Sequence, residues 1–183
     1  MPKRKRLIHL YYLCAKIVQF MQSSINKVIS ILFVCHGNIC RSPMAEFMFK
    51  DMVQSKGLEH RFYTESAAVS TEEIGNSIYP PAKRCLTAHG IPFDKSKTAR
   101  QITRSDYNRF DIIICMDRMN LRWLKYIIPD DPEQKVKLMM SYAGLDRDVA
   151  DPWYTGDFET TYRDLDQSLE ALLNQLLQKT SIE

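Results

Sequence analysis

The chain has 183 residues, 45% hydrophobic and 26% charged, enough to bury the core of one ordinary soluble domain without disulfides. Its formal net charge of +3 includes the tail run Lys3-Arg4-Lys5-Arg6, so the remainder lacks the basic excess that nucleic-acid binding requires. Five cysteines (Cys14, Cys35, Cys40, Cys85, Cys115), odd in number and without zinc-finger or ferredoxin spacing, indicate neither a disulfide framework nor a structural metal, and a reduced, cytoplasmic setting is expected.

Residues 1–27 read as an N-terminal extension and residues 28–183 as a single domain. After the basic run comes LIHLYYLCAKIVQFM, an apolar stretch interrupted by His9, Lys16 and Gln19 and short for a membrane span. It has the charged and apolar regions of a signal peptide, but no small-residue cleavage site follows. Two readings stay open: a basic, targeting-like amphipathic segment on a membrane or partner, or an upstream translation ahead of a true start at Met21. Membrane contact is expected only under the first.

From Val28 the pattern becomes regular. VISILFVC (28–35) is a nearly continuous apolar, β-branched run, as in a parallel strand buried on both faces. A short loop follows, and Ser42-Pro43 reads as cap and first residue of a helix reaching about Lys56. RFYTESAAV (61–69) predicts a strand, PPAKRCLTAHG (80–90) a helix, FDIIICMD (110–117) a strand and RMNLRWLKYII (118–128) a helix closed by Pro129. KVKLMMSY (135–142) reads as a fourth strand. Finally Phe158, Tyr162, Leu165, Leu169, Leu172 and Leu176 advance by fours and threes, giving one apolar stripe on a last helix. Strands alternating with helices imply an α/β fold: three layers, α/β/α, around a four-stranded parallel sheet.

In such sheets ligands bind beyond the carboxyl ends of the strands, which is where CHGNICRSP (35–43) falls. A loop whose backbone N–H groups curl inward before a helix N-terminus makes an anion site. Gly37 and Asn38 are the residues best suited to left-handed conformations in such a curl, and Arg41 adds a planar fork for two phosphate oxygens. Electropositive surroundings of this kind favour a thiolate, so Cys35 is the expected nucleophile, with the Ser42 hydroxyl placed to help it leave in a second step. Asp151, ahead of Pro152 and followed by two aromatics and Gly156, suits an exposed loop beside an aromatic substrate. Alone it reads as a turn aspartate, and only Cys35 and Arg41 tip it toward a general acid; Asp148 is its nearest rival.

These residues resemble the low-molecular-weight protein tyrosine phosphatases. The likeness rests on VCHGNICRSP (34–43) and DPWY (151–154), with ESAA, EEIGN, HGIP, ARQIT, MD, NLR and DFETTY in family order, and covers about residues 28–178. It implies hydrolysis of phosphotyrosine and aryl phosphates through a cysteinyl-phosphate on Cys35, with Arg41 holding equatorial oxygens and Asp151 acting first as acid, then as base. It implies substrate contacts from His36, Gly37, Asn38, Ile39, Cys40, Ser42, Trp153 and Tyr154. Asn38, Ser42, Ser66 and His89 would support the loop, His89 by a hydrogen bond to Asn38 or Ser66. No metal or other cofactor is implied. The partners would be a phosphotyrosine-bearing protein and a cognate tyrosine kinase. Where some members carry two kinase-modifiable tyrosines, this chain has Trp153, leaving Tyr154. The resemblance also implies a reversible Cys35–Cys40 disulfide that protects the nucleophile from over-oxidation.

Two positions depart from the resembled pattern. His36 stands where many members have leucine, and Glu72 where many have an aromatic residue, so both are expected to bear on specificity. Related activities share the loop. Thioredoxin-linked arsenate reductases rely on a further cysteine pair that Cys85 and Cys115, thirty residues apart, do not supply. Phosphoarginine phosphatases carry threonine where Ile39 stands, and isoleucine favours a flat phenyl ring. A phosphate-binding regulatory module without turnover is the remaining alternative.

Overall fold

The computed structural model describes residues 28–180. The extension 1–27, with its targeting-like reading, lies outside the described residues.

Strand β1 (Ile29–Cys35) carries side chains alternately to two apolar faces, which is why its sequence lacks a polar face. Ile31, Phe33 and Cys35 join one core cluster; Leu32 and Val34 join the other. Beside β1 lie β2 (Phe62–Ala68) and β3 (Ile112–Cys115), and β4 (Val136–Leu138) pairs with β3, giving a parallel sheet in the order β2-β1-β3-β4. The first core cluster is closed by α1 (Arg41–Ser55), α2 (Pro80–Ala88) and α6 (Phe158–Thr180). The second is closed by α3 (Arg104–Arg109) and α4 (Arg118–Ile127). A short helix α5 (Pro152–Thr155) precedes α6. The three-layer α/β/α fold with four parallel strands is as expected, and the predicted stripe on α6 packs inward with Leu165, Leu169 and Leu172 fully buried. No helix among the described residues is long and apolar enough to cross a membrane.

Several local expectations are corrected. Helix α1 begins at Arg41 with Cys40 at its N-cap and no side-chain cap, because the Ser42 hydroxyl is directed to Cys35 Sγ instead. The fourth strand is only three residues long; Met139–Ala143 turn into a 3-10 segment that packs Met139 and Met140 inward against α6. Helix α3 follows a capping box made by Thr103 and Asp106 that was not recognised in the sequence.

Strand order reverses at β1: the chain steps from β1 outward to β2, then crosses to β3 on the other side. The loop after β1 and the segment after β3 therefore flank one crevice, the place where an open α/β sheet binds its ligand.

Candidate active site

Residues 35–41 make that loop. Its carbonyls are turned outward: the oxygens of Cys35, His36, Ile39 and Cys40 accept from the amides of Val69, Ser70, Tyr79 and Met44. In a trans peptide the N–H points opposite its C=O, and no cis bond occurs among the described residues. The amides of His36, Gly37, Cys40 and Arg41 are thereby turned to the concave side, a nest for an anion. The curl needs one left-handed residue, and it is Asn38, at φ 57°. Gly37, the other candidate, is not left-handed. A Cβ there would stand 3.0 Å from Glu73 Cγ, so glycine serves close approach to the neighbouring loop.

Asn38 is held there by its own side chain. Its Nδ2 donates to Ser42 Oγ (2.9 Å) and Ser66 Oγ (2.8 Å), while Oδ1 accepts from Lys97 Nζ (3.3 Å) and the Arg100 amide (3.2 Å). Ser66 in turn donates to the buried carboxylate of Glu46 (2.6 Å). Asn38, Ser42 and Ser66 thus form one hydrogen-bond network behind the loop. The Asn38 and Ser42 side chains are buried there and are not among the residues that line the cleft. His89 is not part of this network. Its Nε2 pairs with Glu159 Oε2 (2.8 Å) and its ring stacks on Tyr162, because it sits at the far end of α2 against the start of α6. The cation bonded to Asn38 is Lys97, whose charge is disfavoured by burial.

Cys35 Sγ accepts the Asn38 amide (3.2 Å) and lies 3.0 Å from Ser42 Oγ. Beside it, burial and then the charge of Cys35 push the Cys40 thiol up to about 12, so Cys40 stays protonated at neutral pH. Arg41 is 3% exposed and its fork is shared between two carboxylates: Nη1 to Asp117 Oδ2 and Nη2 to Asp151 Oδ2, each 2.6 Å. Burial alone would weaken its charge, but Cys35, Asp151 and Asp117 more than offset this and hold it above the ordinary arginine value.

Asp151 caps α5 through the Trp153 amide, so a short helix stands where an exposed loop is expected. Its segment is anchored from α6: Asp164 accepts from the Ala150 amide (3.0 Å) and from both Nη atoms of Arg147, and Thr161 donates to the Ala150 carbonyl. Asp148, the rival acid, is engaged by the backbone and guanidinium of Arg118 and does not line the cleft. The cleft has a volume of about 170 Å³, and its walls include Cys35, His36, Gly37, Ile39, Cys40, Asp151, Trp153 and Tyr154. Trp153 leans on Tyr79, with ring centroids 5.3 Å apart. The two departures from the resembled pattern meet at the rim, where His36 Nε2 lies 3.0 Å from Glu72 Oε2 and the imidazole presents an edge contact to Trp123.

Sequence reasoning missed Asp117, Glu46, Lys97 and Arg100. Asp117 carried a usable signal, an acid just past the carboxyl end of a predicted central strand. Lys97 carried none and Arg100 only its place in ARQIT, since both reach Asn38 from about sixty residues away along irregular chain.

A parallel α/β domain that sets a cysteine inside an amide nest at its switch point, backed by a buried arginine and faced by a carboxylate, defines a phosphate-handling enzyme that uses cysteine chemistry. Comparison with known proteins agrees. Residues 30–182 match the family model for low molecular weight phosphotyrosine protein phosphatase. The chain is 40% identical over 154 residues to the low molecular weight phosphotyrosine protein phosphatase of Gallus gallus, covering 81% of this chain and 96% of that one. A Bacillus subtilis crystal structure superposes with a TM-score of 0.79 at 38% identity, covering 84% and 97%. The structure of a drosophila arginine phosphatase gives a TM-score of 0.72 at 30% identity, covering 80% and 96%. The chain belongs to the low molecular weight phosphotyrosine protein phosphatase family.

Proposed function

We propose that Cys35, Arg41 and Asp151 are the catalytic residues and that the substrate is phosphotyrosine in a phosphoprotein. The substrate's phosphoryl oxygens occupy the amide nest and the Arg41 fork, with Trp153 and Tyr154 beside the phenyl ring. The Cys35 thiolate attacks phosphorus, the bond to the phenolic oxygen breaks, and Asp151 gives that oxygen a proton. A water then attacks the cysteinyl-phosphate while Asp151 takes its proton. The P–S bond breaks as Ser42 donates a hydrogen bond to the departing sulfur, and phosphate leaves.

The observation that carries this reading is the convergence of Cys35, the Arg41–Asp151 pair and the Asn38-locked loop on one cleft. The test is hydrolysis of an aryl phosphate with rapid acid quench. Wild type turns over and yields a trapped phosphoenzyme; Cys35→Ser gives neither. Turnover persisting in Cys35→Ser would refute the nucleophile, and binding without turnover in wild type would favour a regulatory module.

Ile39 at the cleft wall supports phosphotyrosine over phosphoarginine, a preference that direct comparison of the two substrates measures. Cys85 and Cys115 pack in separate core clusters on opposite faces of the sheet, which argues against a relay for arsenate reduction. A tyrosine kinase must generate the substrate, and Tyr154, 86% exposed, is open to such a partner. The four described cysteines are free, which accords with a reducing, cytoplasmic setting.

A further inference from the structure

Outside the cleft, three side chains of metal-ligating type converge. Cys85 and His89 are four residues apart at the end of α2 and so share one helical face. Glu159, in the first turn of α6, reaches between them: its Oε2 is 2.8 Å from His89 Nε2 and its Oε1 is 3.6 Å from Cys85 Sγ. One ligand atom from each of the three falls within 4.8 Å of the others.

We propose that Cys85, His89 and Glu159 form a binding site for a zinc-class divalent ion, with water completing the coordination. Tetrahedral zinc, with bonds of about 2.0–2.3 Å, sets neighbouring donors about 3.3–3.7 Å apart, and the 3.6 Å between Glu159 Oε1 and Cys85 Sγ already falls in that range. A thiolate, an imidazole and one carboxylate suit zinc or cobalt and not the hard ions magnesium and calcium, which take oxygen ligands. The imidazole is already oriented, its ring stacked on Tyr162 at a 3.6 Å centroid separation and 10° between planes. The Cys85 side chain is directed at this point from within an apolar cluster, with Phe158 O as its other polar neighbour.

Binding balances as follows. The Cys85 S–H proton leaves to solvent as a metal–sulfur bond forms; the His89–Glu159 hydrogen bond breaks, the ring proton of His89 is carried on Nδ1 so that Nε2 can coordinate, and His89 and Glu159 each make one bond to the ion. A thiol must lose its proton to bind the ion, so affinity falls as pH falls. The occupied site clamps α2 to the first turn of α6, directly after the segment that bears Asp151. Cysteine spacing could not reveal it, because the third ligand lies seventy residues from His89.

The test is titration of the full chain with Co²⁺ under a non-thiol reductant, followed by competition with Zn²⁺. One ion should bind, with a near-ultraviolet thiolate-to-cobalt band that persists in Cys35→Ser and disappears in Cys85→Ser. His89→Ala and Glu159→Gln, at partly exposed positions, should each weaken binding about tenfold or more. Zn²⁺ should raise the melting temperature of wild type but not of those two variants. Absence of the band, its loss in Cys35→Ser alone, or equal Zn²⁺ stabilisation of all variants would overturn the proposal. None of these readouts depends on phosphatase activity.

Discussion

Arg41 Nη2 and Asp151 Oδ2 lie 2.6 Å apart at the cleft, so the guanidinium assigned to the phosphoryl oxygens is bonded to the carboxylate assigned to the leaving group. A bound phosphate must compete with Asp151 for that fork, and its success frees the carboxyl to face the leaving oxygen. Replacing the carboxylate by a neutral amide removes a competing negative charge, worth about 1 kcal/mol at a separation of about 4 Å even with the full screening of bulk water. Asp151→Asn should therefore bind inorganic phosphate about fivefold more tightly than wild type by calorimetry.

The His36–Glu72 contact puts an acidic rim beside the cleft, 3.0 Å across and open to solvent. An exposed charge of this kind acts on flanking residues of a substrate and hardly on a small aryl phosphate. Glu72→Lys should raise kcat/KM for a phosphopeptide with acidic flanks about three- to tenfold, an effect that fades as salt is added, and leave aryl phosphate turnover within about twofold.

Asp164 holds the acid-bearing segment. Burial would raise its carboxyl, but the Arg147 guanidinium and the Ala150 amide outweigh that and hold it below the usual aspartate value. A folded value below the unfolded one contributes stability that is complete above the unfolded value, about 3.9, and is lost as pH falls through the folded one. Asp164→Ala should thus cost about 1–3 kcal/mol at neutral pH. The gap to wild type in denaturant melts should close progressively as pH is taken below about 4. Aryl phosphate turnover should also drop, because Ala150 and Asp151 lose their anchor.

Cys40 lines the cleft beside the nucleophile and stays a thiol at neutral pH. Peroxide oxidises the Cys35 thiolate to a sulfenic acid; attack by the Cys40 sulfur then expels water and forms a disulfide. After mild peroxide and then reductant, wild type should recover most of its activity, and Cys40→Ser, left open to sulfinic acid, should recover markedly less. Equal recovery would dismiss a protective role for Cys40.

The legible parts of this chain were those where local pattern and chemistry coincide. The run 28–35 was legible as a continuous apolar strand, the helix after it from Pro43, and the stripe from Phe158 to Leu176 from its helical period, and Cys35, Arg41 and Asp151 sat at turns beside such elements. What escaped was long-range or exceptional. Lys97 takes the place assigned to His89, because an isolated bridge between Ala68 and Gln101 brings irregular chain to the loop, and no local pattern encodes that pairing. Gly37 was offered beside Asn38 for the left-handed curl that Asn38 alone makes, since glycine's other use, close approach by Glu73, depends on a neighbour thirty-six residues on. Ser42 looked like a helix cap because its hydroxyl's partner, Cys35, lies upstream and not in the helix.

The division of labour between Asp151 and Asp148 tests the account most directly. Turnover of an aryl phosphate with a poor leaving group should be measured for Asp151→Asn and Asp148→Asn side by side. The account predicts a loss of about 10²–10⁴ in kcat for Asp151→Asn, the usual worth of a positioned general acid, and less than about threefold for Asp148→Asn. Equal losses, or the larger loss in Asp148→Asn, would contradict it.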